Sequence, residues 1–237
     1  MARPTVVFLH AFPLDSSMWD GIRASVEGAG YEVLAPDLPG PEPELGFEAW
    51  AGRVLGLVDG EFVPVGSSMG GYLSFELWRQ AAERIAALAL IGTRATPDTA
   101  EQRLARDDSI RLLGEAGREP FWDDLAPKVF AENVDPAVVS RARELALRQP
   151  ITALVASQET IRDREDSRPT LATIDVPVLV VVGESDRLTP PADAEAMLAG
   201  LPNARLARLA GAGHLVALEQ PEAVAAEIVG FLAEAAP

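Results

Sequence analysis

A serine flanked by glycines is the first group in this chain whose setting could make it reactive. Ser68 lies in Val63-Pro64-Val65-Gly66-Ser67-Ser68-Met69-Gly70-Gly71-Tyr72, where an apolar run from Phe62 stops at Gly66 and an amphipathic run follows to Ala82. This is G-x-S-x-G with a strand before it and a helix after it. Such a turn pushes the serine out on strained backbone, and the two glycines remove Cβ atoms that would clash with the flanking segments. The helix that follows aims its free N–H groups and the positive end of its dipole at an anion formed beside Ser68. In a chain with 19 glycines the bare pattern is weak. The flanking elements and the partners downstream give it weight.

A serine hydroxyl is a poor nucleophile until a base takes its proton. The chain has two histidines, His10 and His214. His214 follows Gly211-Ala212-Gly213 on a glycine-rich loop after the last expected strand, and it is favoured as the base. His10 also ends a strand and stays open as the rival. The histidine in turn needs a carboxylate to hold its tautomer and stabilise the imidazolium. Val181-Val182-Gly183-Glu184-Ser185-Asp186-Arg187-Leu188-Thr189-Pro190 supplies Asp186 as the first choice, with Glu184, Asp193 and Asp37 as competitors. The chain order Ser68, Asp186, His214 differs from the orders of chymotrypsin and subtilisin.

These residues need a frame that brings three distant segments to one edge. Expected strands cover 5–9, 31–35, 62–65, 85–91, 178–182 and 205–209; helices cover 19–28, 47–59, 68–82, 191–199 and 221–235. Strand and helix in alternation imply an α/β fold, a mostly parallel sheet with helices on both faces. Ligands of such sheets bind beyond the carboxyl ends of the strands, where Ser68, Asp186 and His214 all fall. Residues 94–174 interrupt the rhythm with helices near 98–114, 120–131, 135–147 and 150–161 and no strand-like run. They read as an insertion, with 1–93 and 175–237 forming the core domain.

Composition narrows the function classes. At 237 residues with 48% hydrophobic and 24% charged residues, the chain can bury a substantial core. The absence of cysteine excludes disulfides and thiol chemistry, and two histidines argue against a His-rich metal centre. A net charge of −16 argues against nucleic acid or an anionic membrane as partner. No apolar run approaches the ~20 residues of a membrane helix. Arg3 with Val6-Val7-Phe8-Leu9 is too short for a leader, and His10 and Asp15 interrupt it. A cytoplasmic protein is expected. Nearly all its basic residues are arginine, Lys128 excepted, which suggests a GC-rich bacterial genome.

The chain resembles the α/β-hydrolases, in the group of small bacterial carboxylesterases and enol-lactonases. The resemblance rests on His10-Ala11-Phe12-Pro13, Pro36-Asp37-Leu38-Pro39-Gly40, Gly66 to Gly71, Gly183 to Pro190 and Gly211 to Leu215. It implies an oxyanion hole from the backbone N–H groups of Phe12 and Met69. It also implies that the insertion is a helical cap over the site, for which Phe12, Leu14, Trp19, Phe121 and Trp122 are candidate lining residues. Ala11 stands where the family usually has glycine, and Pro41-Glu42-Pro43 replaces a glycine-rich continuation. The chain begins at the family's third strand, implying a sheet without the first antiparallel pair.

The function expected is that of a serine hydrolase, with no cofactor and no metal, that cleaves a small carboxylic ester or lactone through an acyl-enzyme. Serine at the elbow disfavours an aspartate nucleophile. The same triad also serves C–C bond hydrolysis of a diketone-type substrate and acyl transfer. A slow-turnover ligand-binding signalling protein is a reading from another class. The physiological substrate and the oligomeric state stay open.

Overall fold

A computed structural model describes residues 3–39 and 46–235. Six strands, β1 (Thr5–Leu9), β2 (Val33–Leu34), β3 (Phe62–Ser67), β4 (Leu88–Ile91), β5 (Val178–Gly183) and β6 (Ala204–Leu209), form one sheet in the order β2-β1-β3-β4-β5-β6. Every pairing in it is parallel. The order reverses at β1 and β3, whose register runs from Thr5 opposite Phe62 to Leu9 opposite Gly66. The switch point of the sheet thus lies beside the serine turn, where α/β sheets open a crevice.

The helices are α1 (Asp20–Gly28), α2 (Phe47–Leu55), α3 (Met69–Ala81), α4 (Ala100–Ala116), α5 (Arg118–Val129), α6 (Pro136–Leu147), α7 (Ile151–Arg162), α8 (Arg168–Leu171), α9 (Pro191–Gly200), α10 (Val216–Glu219) and α11 (Pro221–Ala235). Alternate strand residues feed opposite faces of the sheet. Val6, Phe8, Val63, Val65, Ala89 and Ile91 pack with Ile22 and Val26 of α1 and Ile228 and Phe231 of α11. Val7, Leu9, Phe62, Leu88, Leu90 and Val180 pack with Trp50 of α2, Leu73 of α3 and Met197 of α9. Burial on both faces is why these strands read as continuous apolar runs.

Several boundaries move from their expected places. β2 is two residues long, an edge strand closed by Pro36, whose ring cannot donate to a ladder. Residues 85–87 precede β4 rather than belonging to it: a short 3₁₀ turn ends α3, and Ile85 makes only an isolated bridge to Phe62. The helix expected over 47–59 stops at Leu55, before Gly56 and Gly60. Four-residue helices such as α8 and α10 are too short to show a helical period. The departure at Pro41-Glu42-Pro43 lies outside the described residues.

Helices α4 to α8 lie between β4 and β5, with α4 packed on both α5 and α7. α4 starts with a capping box in which Thr99 and Gln102 satisfy each other's backbone N–H groups. Pro136 begins α6 behind Asp135, whose carboxylate accepts from Ala137 N. A small apolar cluster of Leu113, Phe121 and Leu154 meets Phe12, from the loop after β1.

Candidate active site

Ser68 is the single residue between β3 and α3, and it has φ +50°, the only positive φ of a non-glycine residue among those described. Holding it there costs about 1–3 kcal/mol, which the surrounding bonds must offset. Its N–H donates to Ile91 O at 2.9 Å, and its carbonyl accepts the Thr93 hydroxyl at 2.9 Å. The flanking glycines are needed because backbones meet there. A Cβ on Gly66 would lie 2.3 Å from Gly70 O, and one on Gly70 would lie 2.1 Å from Leu9 O. Ser67, one step earlier, is fully buried.

The Ser68 hydroxyl donates to His214 Nε2 at 2.8 Å, and His214 Nδ1–H donates to Asp186 Oδ2 at 2.9 Å. The tautomer follows from the partners: a carboxylate only accepts, so the proton sits on Nδ1 and the Nε2 lone pair faces the serine. Asp186 is buried, which by itself disfavours its charged form. The His214 contact, the N–H groups of Leu188 and Thr189 at 2.8 and 2.9 Å, and the Thr189 hydroxyl at 2.7 Å outweigh that penalty. The carboxyl is therefore held below its usual range.

The competing groups are engaged or placed elsewhere. Glu184 is exposed. Asp37 is exposed and accepts the Ser16 N–H at 2.9 Å. Asp193 is half-buried in the first turn of α9. His10 is buried, and both its ring nitrogens bond within adjacent loops, Nε2 accepting from Leu38 N–H and Nδ1–H donating to Ala11 O.

The loop carrying His214 is pinned from two sides. Gly183 and Gly213 cross so closely that a Cβ on Gly183 would meet Gly213 O at 2.2 Å. His214 N–H donates to Val129 O at 2.9 Å, and Gly213 N–H donates to the Glu219 carboxylate. The same carboxylate accepts from Ala131 N, tying the end of α5 to this loop. Burial pushes the Glu219 carboxyl up. Glu219 and Thr189 escaped the sequence reading. The only local signal was the proximity of each to an already chosen residue.

Ser68 and His214 open onto a cavity of about 210 Å³ whose walls include Phe12, Arg94, Arg106, Phe121 and Leu188. Phe12 and Phe121 meet edge to face with centroids 5.8 Å apart. Met69 opens α3, so its N–H belongs to the unpaired first turn. The other three residues expected along this wall lie elsewhere. Trp19 stacks on Phe8 at 4.7 Å in the core, and Trp122 packs edge-on to Phe130 in the same cluster. Leu14 is buried there as well and borders a void of about 10 Å³. These large apolar side chains serve the core because the segments that carry them, a loop for Leu14, a short 3₁₀ turn for Trp19 and α5 for Trp122, turn them inward. A larger cavity, about 450 Å³, contains neither Ser68 nor His214, and its Arg79 and Arg162 are paired with carboxylates. The smaller cavity is the one that Ser68 and His214 line. Among the described residues no helix is long and apolar enough to cross a membrane.

Relatives share this architecture along nearly the whole chain. A pimeloyl-[acyl-carrier protein] methyl ester esterase of Aromatoleum aromaticum is 30% identical over 247 aligned residues, covering 94% of this chain and 95% of that protein. A thermophilic esterase from Thermogutta terrifontis, solved with malate bound, superposes with a TM-score of 0.92 at 32% identity, covering 99% of this chain and 91% of that one. The enol-lactonase from Burkholderia xenovorans LB400 superposes with a TM-score of 0.87 at 27% identity, covering 98% and 92%. Residues 6–227 match the family described as "Alpha/beta hydrolase family". With that match over the sheet, the serine turn and the loops beyond it, the chain belongs to the alpha/beta hydrolase family.

Proposed function

We propose that this chain is a serine hydrolase that cleaves a small carboxylic ester or lactone through an acyl-enzyme, using its own side chains alone. The observation that carries the reading is the relay of 2.8 Å from Ser68 Oγ to His214 Nε2 and 2.9 Å from His214 Nδ1 to Asp186, opening on a cavity. In the first half-reaction His214 takes the Ser68 proton while Oγ attacks the substrate carbonyl. The N–H groups of Phe12 and Met69 receive the oxyanion, and Asp186 stabilises the imidazolium. His214 then gives its proton to the departing alkoxide, leaving Ser68 acylated. Water, deprotonated by the same imidazole, attacks the acyl carbon. Release of the acid returns the proton to Ser68. Residues 94–174 act as a cap that excludes bulk water and shapes the cavity.

The Aromatoleum relative, a methyl ester esterase, and the Burkholderia enol-lactonase support an ester or lactone as substrate. The test is a panel of p-nitrophenyl esters and lactones, followed by a serine-directed phosphonate mapped by mass spectrometry. Turnover with the label on Ser68 is expected. A label on Ser67, or turnover that survives complete modification, would sink the assignment.

A further inference from the structure

One carboxylate in the insertion is surrounded by more positive charge than it can neutralise. The Asp98 side chain is fully buried (0% exposed) and accepts from three guanidinium groups: Arg94 Nη2 at 2.8 Å, Arg164 Nη1 at 2.8 Å, and Arg106 Nε. The three come from separate places, the loop after β4, the segment after α7, and α4. One carboxylate cancels one of the three charges.

Two of these arginines wall the catalytic cavity together with Ser68 and His214. Arg94, 8% exposed, makes a single hydrogen bond among the described residues, the one to Asp98; its Nε is buried without a partner. Arg106, whose side chain is 22% exposed, uses Nε on Asp98 and Nη1 on Gln158 Oε1, leaving Nη2 without a bond among the described residues. Arg164 differs: it spends its nitrogens on Asp98, Ile161 O and Thr96 O, and lies 4.2 Å over the Tyr72 ring. It supports the other two rather than facing the cavity.

The remaining charges nearby do not cancel the excess. Lys128 and Asp124, also in the cavity wall, pair with each other at 2.7 Å. Asp193 is near enough to feel Arg94 and Arg164 but forms no ion pair with either. Counting it as fully charged still sets three guanidinium groups against two carboxylates, and Asp186, whose field also reaches Asp193, spends its oxygens on His214, Leu188 and Thr189 and pairs with none of the three. A surplus of positive charge in a cavity wall is unusual for a chain of net charge −16, and it costs free energy unless an anion completes it.

We propose that Arg94 and Arg106 form an anion subsite that takes a carboxylate of the substrate, so that the ester or lactone this site accepts carries a free acid group. The inference rests on the hydrolase reading above and deepens it. Guanidinium nitrogens match a planar carboxylate in geometry as well as charge. Asp98 acts as the positioning residue that holds both forks. Because the subsite joins the loop after β4 to α4, a bound acid also ties that loop to the helix.

The experiment uses pairs that differ only by methylation of the acid. Methyl hydrogen succinate, glutarate and adipate are compared with their dimethyl esters, for a carboxylate on the acyl side. 3-Acetoxypropanoate is compared with its methyl ester, for one on the alcohol side. Acid release is followed in a pH-stat. The expected result is a kcat/KM at least about tenfold higher for the acid form in one of the two series. Arg94→Gln, and separately the better-tolerated Arg106→Gln, should reduce that ratio by about 10- to 100-fold. Added salt should raise KM for the acid form only. Equal turnover of acid and methyl forms in both series overturns the subsite, as does an equal loss on both forms in both variants, which would mark the arginines as structural. If no pair is turned over, or turnover survives Ser68→Ala, the hydrolase reading fails instead. Calorimetry with glutarate on the Ser68→Ala protein then decides the subsite: binding weakened tenfold or more by Arg106→Gln retains it, and absence of binding overturns it.

Discussion

The Leu38 backbone N–H donates to His10 Nε2 at 2.8 Å, inside the fold and next to the loop that carries Phe12. With Nε2 accepting, the ring proton must sit on Nδ1, where it meets Ala11 O at 3.1 Å. Nε2 is therefore spent on holding the loop after β1 against the loop after β2, and Nδ1 on Ala11 within its own loop. A ring in that position has no lone pair left for a serine proton.

The burial of this ring makes stability depend on pH. Burial holds the His10 pKa below the ordinary imidazole value, so the folded chain keeps the ring neutral where the unfolded chain takes up a proton. Its contribution is present above about pH 6.5, the unfolded value, and is lost as pH falls toward the lowered folded value. Denaturant melts of wild type and His10→Ala at pH 7.5 and 5.5 should show the larger drop in the wild type. The variant should also be less stable at pH 7.5, by about 1–3 kcal/mol for the orphaned Leu38 N–H. Equal pH dependence in the two proteins would mean that the ring is not held neutral.

Ser68→Ala should lower kcat by about 10⁴- to 10⁶-fold. Ser68→Gly should be equally inactive yet more stable than Ser68→Ala by about 1 kcal/mol, because glycine accepts the positive φ that any side chain resists. Both variants lose the bond to His214, so the comparison isolates backbone strain. Thermal denaturation that ranks alanine above glycine would remove the strain argument.

Asp186→Asn keeps the shape of the site but allows an amide N–H to face His214, favouring the tautomer with its proton toward Ser68. A loss of up to about 10⁴-fold in kcat is expected, by analogy with the serine-protease triad. Glu184→Gln and Asp37→Asn, both at exposed positions, should stay within a few-fold of wild type. Activity lost in either of these, with Asp186→Asn unharmed, would reassign the acid.

Glu219→Ala removes the acceptor shared by Gly213 N–H and Ala131 N–H. Two partly buried donors are then unpaired, at a cost of about 1–3 kcal/mol each. Because Gly213 precedes His214, kcat should fall by about tenfold or more with KM little changed, and slowing of phosphonate labelling at Ser68 should track the loss. A change in melting temperature alone would limit Glu219 to a structural role.

Asp98→Ala should destabilise the protein by about 3–5 kcal/mol, since it leaves buried arginines without their shared counter-charge. Urea melts read this directly. A loss below 1 kcal/mol would show that water reaches the cluster.

Ser68, Asp186 and His214 stood out in the linear chain because the cues are local. Glycines spaced around one serine, and short loops that follow apolar runs, record backbone constraints acting within a few residues. The parallel sheet was legible for the same reason: strands buried on both faces leave runs of β-branched residues. Tertiary structure alone decided which faces the helices present. Trp19 and Trp122 went into the core while Phe12 and Phe121 reached the cavity, a choice set by the course of the loop after β1 and the rotation of α5, which composition does not encode. Asp98 bonds a residue 66 positions away, and the Glu219 clamp reaches back 88. Such contacts depend on the relative placement of whole elements. That placement comes from packing two apolar faces of the sheet, and so the charges lining the cavity became visible only once the chain was folded.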